Sequence, residues 1–347
     1  MSPPEYGESI AYLTVLYKGT AAIHHPSLDP FTRRSYYLTL MCEQPLQVYI
    51  DTGGTFTDCI ALGRNQTPTR LKVLSNGTLR GKILEWYSNS EFRISEKWNI
   101  KNDFLKGFRF CLLSGPGESI AVSAYDPADK VLKLGEELPS HLYGKQVEFE
   151  LSTGEEAPIL GTRLLTGTPL EAEFPPLRMK LGFTKGTNAL LEKKGAATIL
   201  FVTKGFRDIL RIGNQQRPNI FAIDPHKPPP LPEQCIEVEE RVDAEGKIIT
   251  PLDTSSISGN IRSLAEQRYS TAAVAFMNAH LNETHEQTVK ELLLASGFDY
   301  VTASTDLSRR IKYQQRCETA AVNAYLTPVI DSYLKNITEK IGKGNLH

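Results

Sequence analysis

The 347-residue chain has 40% hydrophobic and 23% charged residues, a composition that suits one large or two modest globular domains and excludes a disordered chain. Its 39 basic and 40 acidic side chains give a net charge of −1, so no overall positive field exists to hold a nucleic acid. The longest apolar runs fall far short of the roughly 20 residues that cross a bilayer, which excludes a membrane-spanning protein.

The first 45 residues are rich in Pro, Ser and Tyr, show no sustained helix or strand period, and are predicted to be a poorly ordered leader. Glu5 and Glu8 stand where a secretory signal would have a basic segment and an apolar run. The five cysteines are scattered and lack metal-ligand spacing, which is typical of reduced thiols. A cytosolic location is therefore predicted.

From Leu46 the sequence predicts a strand, a tight loop and a strand, in the runs LQVYI, DTGGTFTD and CIAL. LKVLS at 71–75 predicts a third strand, and ILEWY at 83–87 predicts the start of a short helix. Turn residues then separate five β-type runs, which are FRFCLL, IAVSAY, VLKL, QVEFEL and APILGTRLL. These runs predict a β-rich insertion at about 104–172.

After Pro175-Pro176, strands and helices alternate. Apolar runs predict strands at 197–203, 272–278 and 300–304. Amphipathic patterns predict helices at 187–194, 254–266, 284–295 and, apart from Pro328, 315–340. This alternation favours a mostly parallel sheet covered on both faces, with PHKPPPLP as a loop.

The stretch DTGGTFTD at 51–58 is the clearest candidate for a ligand-binding segment. Two adjacent glycines let the backbone turn tightly and approach an oxyanion, while the threonines add hydroxyl donors. Asp51 and Asp58 suit Mg²⁺, which prefers one or two carboxylates together with phosphate oxygens. A plain β-hairpin turn explains the same residues, so both interpretations stay open.

Two further segments are candidates for substrate contact. Gly182–Asn188 is a Gly- and Thr-containing loop predicted to open a helix at Ala189, which suits an anion, although simple helix capping explains it too. Polar residues follow the strand at 197–203, where Lys204 and Arg211 could face a substrate carboxylate, although a solvated helix face explains Arg207 and Arg211 equally well. His285, in NETHEQ, is a candidate catalytic histidine or part of an ordinary helix start.

The sequence resembles the hydantoinase A/oxoprolinase family, whose opening signature DTGGTFTD matches in full. Four later stretches also resemble this family, in order: GFTKGTNALLEKKGA at 182–196, FVTKGFRDILRIGNQQRPNIF at 201–221, IEVEERVDAEGKIITPLD at 236–253 and ETAAVNAYLTPVI at 318–330. Phe183, Lys185 and Gly186 depart from the family's usual GTTVATNA. The EERVDAEG and RPNIF segments most resemble the 5-oxoprolinases.

The resemblance implies an α/β fold: the N-terminal lobe of an actin-like, ribonuclease H-like ATPase with a mixed, largely parallel sheet. It implies ATP-dependent hydrolysis of 5-oxo-L-proline to L-glutamate, in glutathione and γ-glutamyl metabolism, with ATP, Mg²⁺ and a testable K⁺ dependence. Phosphate contacts carry over to Gly53, Gly54, Thr55 and Thr57, and metal contacts to Asp51 and Asp58. Substrate contacts are expected from Thr184, Thr187, Asn188, Lys204 and Arg211, and no catalytic residue is assigned.

The expected domains are the leader at 1–45, the family's N-terminal domain at 46–330, and the start of a truncated second-lobe segment at 331–347. Since the second lobe and a hydantoinase B-type domain or subunit are expected to complete the enzyme, the isolated chain is predicted to have weak or absent catalysis. An N-methylhydantoinase, the ATP-binding subunit of an acetone-type carboxylase, and a non-catalytic binding or assembly module remain alternatives. The oligomeric state stays open, with a homo-oligomer as one option.

Overall fold

The structure is a computed structural model that describes residues 45–63, 67–98, 100, 104–113, 119–214, 221, 223, 227–266 and 269–347. The predicted leader lies outside these residues except for Pro45. The described strands are β1 Leu46–Thr52, β2 Phe56–Leu62, β3 Pro68–Leu74, β4 Thr78–Trp86, β5 Glu91–Ser95, β6 Arg109–Leu112, β7 Ile120–Asp126, β8 Val131–Leu134, β9 Glu148–Ser152, β10 Leu177–Phe183, β11 Thr198–Thr203, β12 Gln234–Val238, β13 Arg241–Val242, β14 Ile248–Thr250, β15 Thr271–Ala275 and β16 Tyr300–Ala303. The described α-helices are α1 Ala157–Thr166, α2 Lys185–Leu191, α3 Ile209–Ile212, α4 Thr254–Glu266, α5 Thr284–Ala295, α6 Ser304–Leu307 and α7 Tyr313–Ile341.

The first sheet has the order β10-β1-β2-β3, with β1, β2 and β3 antiparallel in turn and β10 parallel to β1. The three strands predicted between residues 46 and 75 are confirmed. Alternate residues of β1 and β2 are buried, so one face packs into the core while the other carries polar groups. At the outer edge of β10, Leu346 pairs in parallel with Met179, and His347 N donates to Met179 O at 2.8 Å.

Strands β4 to β9 form a closed barrel in the order β4-β5-β8-β7-β6-β9. Phe92, Phe110 and Phe149 fill its interior, and a Cβ on Gly81 would lie 2.5 Å from the Phe149 ring. The predicted strands FRFCLL, IAVSAY, VLKL and QVEFEL are confirmed as β6 to β9. The predicted helix at 83–87 is wrong, because residues 83–86 belong to β4, whose side chains alternate between barrel interior and solvent.

The β-type run predicted at 157–165 is also wrong, because it forms helix α1. Residues 157–163 of this helix are all buried, so its largely apolar sequence resembles that of a buried strand. Pro158 lies in the first turn, where a missing N–H costs little. A Cβ on Gly161 would lie 2.3 Å from Cys59 Sγ, so glycine lets α1 approach β2 closely.

The second sheet is wholly parallel, in the order β12-β11-β15-β16. Every residue of β11 and β15 is buried. One face contributes to a core with α4 and α5, and the other packs against small residues of α7 such as Ala320 and Ala324. The predicted parallel sheet, covered on both faces, is confirmed, as are the helices at 254–266 and 284–295.

Helix α7 connects the two sheets. Near its start Cys317 packs against the second sheet, whereas Tyr333, Ile337 and Ile341 join the core beneath the first. The expected boundary at 330/331 falls inside this helix, and residues 46–347 group into one compact unit, so that division stays a prediction. Among the described helices, none combines the length and apolar character needed to cross a membrane.

Candidate functional site

A tight turn joins β1 to β2 at the edge of the first sheet. Gly53 N donates to Phe56 O at 3.0 Å, and a Cβ on Gly53 would lie 3.2 Å from that same oxygen. Thr55 O accepts a bond from Ser75 N at 2.9 Å, which ties the turn to the end of β3. Gly54 and Thr55 are exposed, so the turn presents their backbone to solvent in a held position.

Two aspartates face each other beside this turn. Asp51 and Asp58 are directly opposite in the β1–β2 register, and both are exposed. Lys72 Nζ lies 3.0 Å from Asp58, but the pair is more than half exposed. Like charges opposed across a ladder repel, so this arrangement favours a cation between the carboxylates. Within the described part of the chain, no three His, Cys, Asp or Glu side chains form a metal cluster.

The threonines next to these aspartates point the other way. Thr57 is fully buried, and its hydroxyl lies 3.1 Å from Ser75 Oγ. Thr52 Oγ1 lies 3.4 Å from the hydroxyl of Tyr333 in α7. Burial raises the pKa of Tyr333 to about 12, so its phenol stays protonated at neutral pH. These two threonines anchor the hairpin to the core, and the Thr57 hydroxyl does not reach the exposed turn.

The segment that follows β10 lies against the same turn. Thr184 donates to Thr52 O through its backbone N at 3.0 Å and its hydroxyl at 3.2 Å. Asn188 Nδ2 donates to Thr184 Oγ1 at 3.2 Å and would lie 3.7 Å from a Cβ on Gly54. Helix α2 begins at Lys185, earlier than the predicted start at Ala189. Two segments that are about 130 residues apart in sequence therefore meet at one place.

A cavity of about 440 Å³ opens on the polar face of the first sheet. Its lining includes Asp51, Asp58, Lys180, Gly182 and His347. This volume lies within the range of about 300–1,000 Å³ that is usual for small-molecule sites. The cavity therefore places both carboxylates and one lysine around a space large enough for a ligand.

Residues 148–297 match the family model described as "Hydantoinase/oxoprolinase N-terminal region". This 150-residue part of the chain is similar to the N-terminal region of that family. The matched residues include Thr184, Thr187 and Asn188, whereas the turn at Gly53–Phe56 precedes them. The family expected from the sequence is thereby confirmed.

Known relatives and one solved structure add to this assignment. Over 245 residues the chain is 36% identical to 5-oxoprolinase 1 of Arabidopsis thaliana, covering 60% of this chain and 19% of that protein. It is 30% identical to caprolactamase subunit alpha of Pseudomonas jessenii, covering 45% of this chain and 23% of that subunit. The matches thus span about a fifth of each relative.

The fold is similar to that of an acetone carboxylase solved without nucleotide, in a study of ATP-dependent acetone carboxylation. The TM-score is 0.53 at 17% identity, with 87% of this chain and 35% of that chain covered. At this identity the similarity shows the fold alone. It supports a mixed α/β fold with parallel and antiparallel sheets for this oxoprolinase-family region.

The structure does not bring Lys204 and Arg211 to the turn. Thr203 N bonds the hydroxyl of Tyr313 at one end of α7, whereas Thr52 meets Tyr333 about 20 residues further along the helix. At about 1.5 Å per residue, Tyr313 and Tyr333 are separated by about 30 Å of helix rise. Lys204 instead pairs with Glu239 at 3.0 Å on the surface, and Arg211 lines a second cavity of about 380 Å³.

Several residues of the candidate site were not predicted from the sequence. Lys180 could have been found from the alternation of LRMKLGF, which puts it on the same face as Gly182. Tyr333 carries no comparable signal, because only the packing of α7 against the first sheet brings it to Thr52. Cys59 is a buried core residue, as predicted, and burial together with the charge of Asp58 raises its thiol pKa to about 12.

Proposed function

We propose that this chain supplies the ATP phosphate-binding part of an enzyme that hydrolyses 5-oxo-L-proline to L-glutamate. The observation that carries the proposal is the exposed Gly54–Thr55 turn, held between two opposed aspartates and the Thr184–Asn188 segment. Relatives named 5-oxoprolinase support this substrate. The caprolactamase relative supports the broader class of cyclic amides and makes another lactam the second candidate substrate.

The first sheet supports an actin-like, ribonuclease H-like lobe. Three antiparallel strands are joined on one side by the parallel strand β10, and Leu346 adds a parallel pairing at the outer edge of β10. The β1–β2 hairpin then serves as the phosphate loop of this lobe. The barrel formed by β4 to β9 is an insertion between the hairpin strands and α1.

The hairpin residues fit a magnesium nucleotide. Two facing carboxylates suit Mg²⁺, which keeps several waters and binds phosphate oxygens as well, and the described residues offer no third acidic, histidine or cysteine ligand beside them. Asp51 and Asp58 would hold the metal, and the backbone of Gly53, Gly54 and Thr55 would bind phosphate. Bound MgATP supplies the phosphoryl group that turns an amide oxygen into a leaving group. The Thr57 hydroxyl supports this site from the core, through Ser75.

Substrate contacts are proposed for Thr184, Thr187 and Asn188, because the first and last of these already lie beside the turn. A hydroxyl, an amide and the nearby Lys185 suit a carboxylate together with a ring amide. Lys204 directly follows Thr203, which contacts Tyr313, whereas Thr52 contacts Tyr333, and these two tyrosines are separated by about 30 Å of helix rise. The assignment of Lys204 and Arg211 to the substrate stays a prediction.

The complete enzyme is proposed to be larger than this chain. A hydantoinase B-type domain or subunit is the proposed partner, and turnover by this chain alone is expected to be weak or absent. The four described cysteines, Cys59, Cys111, Cys235 and Cys317, are free thiols, which supports the proposed cytosolic location. Glutathione metabolism is part of the proposal through its substrate, 5-oxo-L-proline. A K⁺ dependence and self-association belong to the same proposal.

Calorimetric titration of the 347-residue chain with MgATP tests the site. Saturable binding that disappears in EDTA is expected. Gly54→Val should weaken it at least about tenfold, because the side chain covers the exposed backbone while the nearest atom, Asn188 Nδ2, leaves ordinary space at 3.7 Å. Gly63→Val is the matched control, since no atom lies within 4 Å of its Cβ position. Equal binding by Gly54→Val and the unsubstituted chain would overturn the proposal.

A second assay tests the substrate. The chain is mixed with a hydantoinase B-type subunit, and ATP cleavage is compared with and without 5-oxo-L-proline, ε-caprolactam or hydantoin. Stimulation by 5-oxo-L-proline is expected. Stimulation by another cyclic amide alone would replace the proposed substrate, and binding without stimulation by any of them would indicate a non-catalytic module.

A further inference from the structure

A run of prolines leads into β12 and takes no part in the proposed phosphate and substrate contacts. Residues 227–232 read Lys-Pro-Pro-Pro-Leu-Pro. Proline fixes its own φ near −65° and disfavours the helical region for the residue before it. Residues 227, 228, 229 and 231 each precede a proline. Stereochemistry therefore favours the polyproline II conformation at residues 227–230, which we call the proline strap.

The proline strap is exposed along its whole length. Residues 227–230 are all exposed and belong to neither a helix nor a strand. Prolines have no N–H to donate, and a polyproline II segment makes no internal hydrogen bonds. Among the described residues, none donates a backbone hydrogen bond to the carbonyl groups of Pro228, Pro229 and Pro230. These three residues therefore present both their rings and their carbonyl oxygens to the surroundings.

The structure fixes the proline strap at both ends. Lys227 Nζ donates to Ile212 O, at the end of α3, at 2.8 Å. Beyond the strap Pro232 is buried, and Glu233 N donates to Thr198 O, at the start of β11, at 2.9 Å. A segment that is already rigid and extended loses little conformational freedom when a partner binds it. The strap is therefore preorganised for recognition.

Two ways of recognising prolines need different residues of this segment. A groove that reads a Pro-x-x-Pro motif, as SH3 domains do, would have to reach both Pro229 and Pro232. Because Pro232 is buried, this register is closed. The consecutive prolines at 228–230 stay exposed and offer adjacent rings. The strap therefore fits a groove that holds adjacent prolines between aromatic side chains, as in WW domains.

We propose that the proline strap is a docking site for a partner protein that carries a WW-type aromatic groove. Aromatic side chains of the groove pack against the proline rings, and a groove donor bonds to a strap carbonyl group. The inference does not depend on the proposed function, because the strap shares no residue with the Gly54–Thr55 turn or with residues 184–188.

Calorimetric titration of the full chain with a purified WW domain that binds consecutive prolines tests the proposal. Saturable one-to-one binding is expected. The double variant Pro228→Ala with Pro229→Ala should weaken it at least about tenfold, because two rings and their fixed φ angles are lost. Pro175→Ala with Pro176→Ala, the same change at another exposed proline pair, should leave it unchanged. No binding, or equal affinity in the two double variants, would overturn the proposal.

A second titration uses the unsubstituted chain and so decides the matter even if the strap variant fails to fold. A WW domain whose groove tryptophan is replaced by alanine should lose the binding. An SH3 domain should bind at least about tenfold more weakly than the intact WW domain, because Pro232 is buried. Binding that survives loss of the tryptophan, or an SH3 domain that binds as tightly, would refute the assignment.

Discussion

Replacing Asp51 with asparagine is expected to stabilise the ligand-free chain while removing its response to MgATP. Asp51 and Asp58 are directly opposed on β1 and β2, a geometry that places facing Cβ atoms about 5 Å apart. Two unit charges about 5 Å apart in water repel by about 0.8 kcal/mol. Lys72, 3.0 Å from Asp58, offsets part of this repulsion. Asp51→Asn should therefore raise the free energy of unfolding by about 0.3–0.8 kcal/mol.

Urea unfolding in EDTA and in MgATP separates the two effects. At about 100 times its dissociation constant, MgATP should add about 2.7 kcal/mol to the unsubstituted chain. Asp51→Asn should gain much less, because the metal loses one carboxylate. Asp129→Asn is the matched control, since this exposed aspartate makes no hydrogen bond or ion pair among the described residues. A loss of stability in EDTA, or a full gain with MgATP, would refute the reasoning.

The buried ion pair and the buried thiols lead to two further expectations. Arg316→Met leaves the fully buried Glu286 without its cation and should lower the free energy of unfolding by about 3–5 kcal/mol, measured in urea. Arg309→Met, at an exposed pair, should cost less than about 1 kcal/mol, and an equal cost for both would contradict this account. Burial raises the thiol pKa of Cys59 and Cys317 from 9.0 to about 12, so above about pH 9 the unfolded chain loses these protons first. Their contribution to stability is complete below pH 9 and is lost as the pH rises toward 12; urea unfolding at stepped pH checks this, and a flat profile between pH 9 and 11 would contradict it.

Sequence patterns predicted the secondary structure correctly where one physical cause dominates. The first hairpin follows from period-2 burial on both sides of a Gly-Gly turn. The helices at 254–266 and 284–295 follow from apolar residues at helical spacing. The parallel second sheet follows from unbroken apolar runs, because both of its faces are covered.

Sequence patterns predicted the wrong secondary structure where tertiary packing outweighed the local preference. ILEWY at 83–87 has helix-forming residues, but closure of the barrel requires an extended β4 there. APILGTRLL has the composition of a buried strand, yet it forms a helix buried on every side, with Gly161 against Cys59. In each case long-range contacts outweighed weak local preferences.

The sequence by itself determined the turn, the two aspartates flanking it, the alternation of strands and helices, and the family, because each depends on neighbouring residues or on motifs. Only the tertiary structure decided which candidates meet. It placed Thr184 and Asn188 at the Gly54 turn, directed Thr57 into the core, and set Lys204 next to Thr203, which contacts the opposite end of α7 from the turn. The reason is physical: residue spacing sets the face on which a side chain lies, whereas contacts between distant segments are set by strand order and helix packing.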